Sequence, residues 1–82
     1  MSYNGWKNYQ TWNVALWISN DYGLYSAAVE FAEGFTENPV SCYRDFIEEY
    51  WLEDQLTPDN VHWLDSGLDY DALDQFMIDL CE

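Results

Sequence analysis

The sequence predicts an all-α fold: a small bundle of four helices in one domain, residues 1–82. Three observations carry that expectation. The length, 82 residues, suits a single domain. Apolar residues make up 49% of the chain and aromatic residues 20%, which argues for a packed core and against disorder. Apolar side chains also recur three and four residues apart, in segments opened by capping residues and closed by turn formers.

The first helix is expected from about Thr11 to Asn20, with Thr11 as its N-cap. Trp12, Val14, Leu16, Trp17 and Ile18 fall on nearly all its sides, and a helix apolar all round is normally enclosed by its neighbours. The second is expected from Tyr22 to Gly34, with a stripe of Leu24, Ala28, Phe31, Ala32 and Phe35. The third is expected to open with Asn38 as N-cap and Pro39 in the first turn. Its apolar stripe would be Val40, Tyr43, Phe46, Ile47, Tyr50 and Trp51, with Asp45, Glu48, Glu49 and Glu53 on the other face beside Leu52. These four acids lie three and four residues apart without an intervening base, so they repel one another by a few tenths of a kcal/mol per pair. Thr57-Pro58 suggests a short helical turn through Trp63, and Ser66-Gly67 a turn. The last helix is expected from Tyr70 to Leu80, capped by Asp69, with Leu73, Phe76, Met77 and Leu80 inward and Asp71, Asp74, Asp79 and Glu82 outward.

The charge is unevenly placed. Residues 1–29 carry Lys7 and Asp21 and sum to zero, whereas residues 30–82 carry fifteen acids against Arg44 and so hold the whole net charge of −14. A surface net charge of magnitude about 2–8 is ordinary for a small domain. Such self-repulsion costs stability, which suggests a use beyond folding. Solubility is the plain explanation, and a basic partner the specific one.

Several chemistries find little footing. Paired carboxylates such as Glu48-Glu49 and Asp69-Asp71 can serve acid–base work only in a cleft with a raised pKa, so a solvated acidic face is the better reading and no catalytic residue is assigned. The segment Asp65–Phe76 resembles a calcium loop superficially but has Tyr70 and Phe76 where an EF-hand needs Gly and Glu. With His62 as the sole histidine and no CxxC pair, neither a metal nor another cofactor is expected. Cys42 and Cys81 suit reduced intracellular thiols, although their number also permits one disulfide. Direct nucleic-acid binding is opposed by the charge, and no apolar run reaches the ~18 residues of a membrane span. Asn13 and Asn20, seven apart on one helix side, suit pairing with backbone groups at helix junctions better than partner recognition.

The block Tyr3–Tyr25, with Asn8, Tyr9, Thr11, Trp12, Asn13, Val14, Leu16, Trp17, Asn20 and Asp21 followed by Gly23, Leu24 and Tyr25, resembles a family of small proteins carried by bacteriophages, notably those of cyanobacteria. The C-terminal "LDYDALDQFMIDL" is similar to it more loosely. The resemblance implies a phage accessory protein acting in the host cytoplasm, and it supplies no catalytic residue.

Two binding modes follow. In the first, Asp45, Glu48, Glu49, Glu53, Asp71 and Asp74 imitate DNA phosphates toward a host protein with a basic surface, such as a restriction or CRISPR nuclease or the transcription machinery. A globule about 30 Å across faces a length of duplex carrying about eighteen charges, close to the sixteen acids here. In the second, an aromatic patch of Tyr3, Trp6, Tyr9, Tyr22 and Tyr25, helped by Leu52 and Ile78, mediates protein–protein contact or self-assembly.

Overall fold

Four helices carry the chain in the computed structural model, which describes residues 5–35 and 41–81: α1 (Tyr9–Asn20), α2 (Tyr22–Ala32), α3 (Cys42–Glu49) and α4 (Tyr70–Leu80). A 3₁₀ turn, Glu33–Phe35, prolongs α2. Among the described residues no strand forms, and Leu56 and His62 make an isolated antiparallel bridge. The expected all-α bundle is therefore the observed one. Tyr3, Glu37, Asn38, Pro39, Val40 and Glu82 lie outside the described residues.

Helix α1 begins two residues before the expected position because Asn8, not Thr11, is its cap. Asn8 is extended (φ −155°, ψ 175°), and its Oδ1 accepts from the Thr11 amide at 2.9 Å and the Thr11 hydroxyl at 2.6 Å. The helix is not enclosed on all sides. Val14, Ala15 and Ile18 are buried with Thr11 and Asn13, whereas Trp12, Leu16 and Trp17 are half-buried at the edge of the core. Asp21 alone joins α1 to α2. Its amide donates to the Trp17 carbonyl at 3.0 Å, closing α1, and its Oδ1 accepts from the Leu24 amide at 3.1 Å, opening α2.

Ala28 and Ala32 are fully buried on α2, and small side chains there let the other helices approach closely. Helix α2 packs on α1, α3 and α4. The end of α4 is tied to it by the Cys81 thiol, which donates to the Val29 carbonyl at 3.3 Å. Cys42, which is buried, and Cys81 form no disulfide with each other. Tyr43, Phe46, Ile47, Leu73 and Met77 supply the large inward side chains of α3 and α4.

Helix α3 is shorter than its apolar stripe suggested. It stops at Glu49, and Trp51 adopts a left-handed conformation (φ 61°). The Trp51 amide then donates to the Glu48 carbonyl at 3.2 Å and the Leu52 amide to the Ile47 carbonyl at 2.9 Å, the paired bonds of a Schellman stop. The reversal throws Trp51 outward and turns Leu52, expected on the acidic face, onto the core. Ile78, also expected outward, is buried.

Residues 57–63 form no helical turn. The Thr57 amide donates to the Val61 carbonyl at 2.8 Å, Asn60 is left-handed (φ 68°), and the segment folds as a tight loop beneath the Leu56–His62 bridge. The turn at Ser66-Gly67 is present, held by the Asp65 carboxylate accepting from the Gly67 amide at 2.7 Å. Asp69 caps α4 as expected, through the Ala72 amide at 3.3 Å.

Candidate functional site

Asn8, Thr11 and Asn13 of the N-terminal motif spend their side chains on hydrogen bonds within the molecule. Asn8 Nδ2 donates to the Gly67 carbonyl at 2.6 Å, and the Thr11 hydroxyl accepts from the Asp69 amide at 3.0 Å. The fully buried Asn13 accepts from the Thr57 hydroxyl at 2.7 Å and donates to Asp59 Oδ2 at 2.8 Å, which also takes the Trp17 indole N–H at 3.0 Å. These two donors hold the Asp59 carboxyl below its ordinary pKa. The cap and first three turns of α1 thus fasten the 57–69 segment at both its ends, and that segment leads into α4. Asn13 meets side chains rather than the backbone groups expected of it, and Asn20 is exposed.

The acids divide by job. Of the sixteen, Glu37 and Glu82 lie outside the described residues, leaving fourteen. Five of these, Asp21, Asp59, Asp65, Asp69 and Asp74, accept backbone or cross-chain hydrogen bonds that shape the fold. Asp74 corrects the sequence reading most. Expected on the outer face, it is buried, and its carboxylate accepts from the Tyr43 amide at 2.8 Å and the Ser41 amide at 3.2 Å. Ser41, left-handed (φ 64°), makes no side-chain cap of its own, so α3 is capped from α4. Burial raises the Asp74 pKa, the two amides oppose that rise, and nearby Asp71 and Asp45 add to it. The same burial, with Asp74, pushes the adjacent Cys42 thiol up to about 12.

Of the other candidate acids, Asp45, Glu48, Glu49 and Asp71 reach solvent, whereas Glu53 is half-buried. Asp45, half-exposed, and Asp71, exposed, lie within electrostatic reach of Asp74 at the N-terminal ends of α3 and α4. Glu48 and Glu49, both exposed, occupy the last turn of α3, followed by half-buried Glu53 and exposed Asp54. Asp45 and Glu48 lie one turn apart on α3, about 4.5 Å along its axis. Glu53 Oε2 is buried and meets no hydrogen-bond partner among the described residues. The Arg44 guanidinium lies 4.8 Å above the Tyr70 ring.

The proposed aromatic patch does not gather. Trp6 is half-buried, edge-on to Phe76 at 5.6 Å. Tyr9 begins α1 and Tyr22 follows its end, so about 18 Å of helix separates them. Tyr22 is 82% exposed, and Tyr25 begins the next turn of α2. A further exposed aromatic pair, outside that patch, is Trp51 (79% exposed) with its neighbour Tyr50. A signal for it exists: Tyr50, Trp51 and Leu52 are three consecutive apolar residues after two glutamates, and one helix face cannot hold all three.

No pocket indents the described residues, and among them no group of three or more His, Cys, Asp or Glu side chains is placed to hold a metal ion. No described helix is long and apolar enough to cross a membrane. The candidate site is thus the surface of α3 and its flanks. A family model, the family of unknown function DUF7249, matches residues 1–82, and the chain belongs to that family. No curated protein and no solved structure matches it.

Proposed function

We propose that this DUF7249 member is a phage accessory protein that binds a host protein with a basic surface, in the host cytoplasm, and blocks it stoichiometrically by standing where that protein holds DNA. The observation that supports this best is the placement of Glu48 and Glu49. They sit in the last turn of a short helix, where no base accompanies them and the helix dipole already points its negative end. Each costs the fold stability there, by about 0.3–1 kcal/mol. A docking role offsets that cost, because desolvated arrays of carboxylates steer and orient a cationic partner.

The dimensions agree. The molecule measures 30 × 25 × 21 Å, and 30 Å of duplex carries roughly eighteen phosphate charges, against sixteen acids and two bases here. The target class is a nuclease or a component of transcription, whose Lys and Arg side chains are arrayed for phosphates. The mechanism is occupancy without turnover: Asp45, Glu48 and Glu49 on α3, with Asp71 and Asp54 at its flanks, supply the field. Asp74 takes no part, since it is buried under α3.

The test is capture from a cleared bacterial lysate on the immobilised protein at about 50 mM NaCl, eluting toward about 500 mM with or without competing duplex DNA. Basic nucleic-acid-binding proteins should be retained, released by salt, displaced by duplex, and held less by the Glu48→Gln/Glu49→Gln double variant. Retention indifferent to salt and duplex alike would sink the proposal.

A further inference from the structure

Within that reading, which this inference rests on, we infer that Trp51 is the anchor of the docking surface, and that the partner carries an apolar recess rimmed by Lys or Arg beside its phosphate-binding residues. Two independent observations meet at this residue. Its indole is 79% exposed, an unusual position for the largest apolar side chain in a molecule whose other described tryptophans are buried or half-buried. It also occupies the left-handed position of the helix stop, where glycine is strongly favoured and a side chain is strained. The fold thus bears both an exposed ring and an unfavourable backbone at one site.

The backbone that carries the indole is also firmly held. The Trp51 amide is bonded back to Glu48, its carbonyl accepts from Gln55 Nε2 at 3.0 Å, and the preceding Tyr50 ring packs on Phe46 at 4.9 Å. A ring on a fixed backbone loses little conformational freedom on binding, which is the character of interface hot spots. Glu48 and Glu49 before it, with Glu53 and Asp54 after it, surround the ring in sequence with carboxylates. That rim selects the occupant. A second copy of the chain would bring like charges together, and a nucleic acid or an anionic bilayer would be repelled. A protein recess with cations at its edge is complementary in both shape and sign. Duplex DNA offers its binding proteins no comparable apolar knob, so Trp51 would give this protein a contact that DNA lacks.

Two labelled helical peptides of equal length and equal lysine content test this: one with leucines opposite the lysines, the other with serine at each leucine. Their affinities are measured by fluorescence anisotropy at low and at physiological salt. The Lys/Leu peptide should bind about 10-fold or more tightly than the Lys/Ser peptide at physiological salt. Trp51→Gly should erase that advantage while leaving the Lys/Ser affinity unchanged, and Trp51→Tyr should retain much of it. Glu48→Gln/Glu49→Gln should weaken both peptides. Because glycine suits the backbone at position 51, loss of folding does not confound the Gly variant. Equal affinity of the two peptides, or an advantage that survives Trp51→Gly, overturns the assignment of Trp51 alone. Failure of both peptides to bind even at low salt overturns the charge-based reading, and this inference with it.

Discussion

Asp74 shows how much one side chain decides here. Its two oxygens satisfy the Ser41 and Tyr43 amides at a helix start that has no cap of its own. Asp74→Ala leaves both donors unpaired in a buried place and is expected to cost about 2–3 kcal/mol in urea denaturation, with Asp74→Asn costing less. The pH dependence has a definite sign. Burial sets the folded pKa of Asp74 above its unfolded value, so the native state takes up a proton more readily than the unfolded chain. That contribution is fully present below the unfolded pKa and is lost as pH rises through the folded one. Wild type should therefore gain stability relative to Asp74→Asn as pH falls from neutrality toward the ordinary Asp range, about 4. Parallel pH–stability curves for the two proteins would refute it. Asp59 acts oppositely: its lowered pKa favours the fold above the unfolded value, and that support fades as pH falls through the folded one. Neither role could be read from sequence, because the partners of Asp74 lie 31 and 33 residues away and those of Asp59 lie 42 and 46 away. At one position the polar pattern of α4 and the capping need of α3 conflict, and the cap wins.

The helices themselves were legible from spacing. The stripe of α4, Leu73 and Met77 flanked by Phe76 and Leu80, faces the core, and Asp69 caps the helix where the sequence placed it. What spacing could not show was the end of α3, since the apolar repeat runs on past Glu49 while the backbone turns left-handed at a tryptophan. Helix stops are usually legible by their glycine, and none is present. Trp51→Gly should therefore stabilise the protein by about 1 kcal/mol, raising the melting temperature in a thermal scan by about 4–8 °C. A melting temperature that stays level or drops would show that the indole contributes more to the fold than its exposure indicates. The start of α1 has a parallel history: Asn8 and Thr11 are both good caps, and Asn8 prevails because it can also reach Gly67.

At the scale of the whole molecule, the unequal charge of the two parts of the chain was plain from composition, and so was the size, with a radius of gyration of 11.5 Å. The division of labour among the acids was not. The described aspartates near turns and helix starts largely serve as caps, which leaves the glutamates and a few aspartates as free surface charge. Fourteen uncompensated charges on so small a body push against compaction. Added NaCl should accordingly raise the melting temperature between about 10 mM and 300 mM, as the Debye length shrinks from about 30 Å to below 8 Å. A melting temperature indifferent to salt would mean that the surface charges are too dispersed to repel appreciably. That result would also weaken the case for a coherent docking field.

The single residue between α1 and α2 has a mechanical consequence. With Asp21 closing one helix and opening the next, the joint has no slack to absorb a change of phase. One residue inserted there would rotate α2 by about 100° about its own axis, if the helix simply continued in register. Ala28 and Ala32 would swing away from their neighbours, and Ala27 and the bulky Phe31 would be driven into the places they fill. This elbow cannot be lengthened without rewriting the inner side of α2.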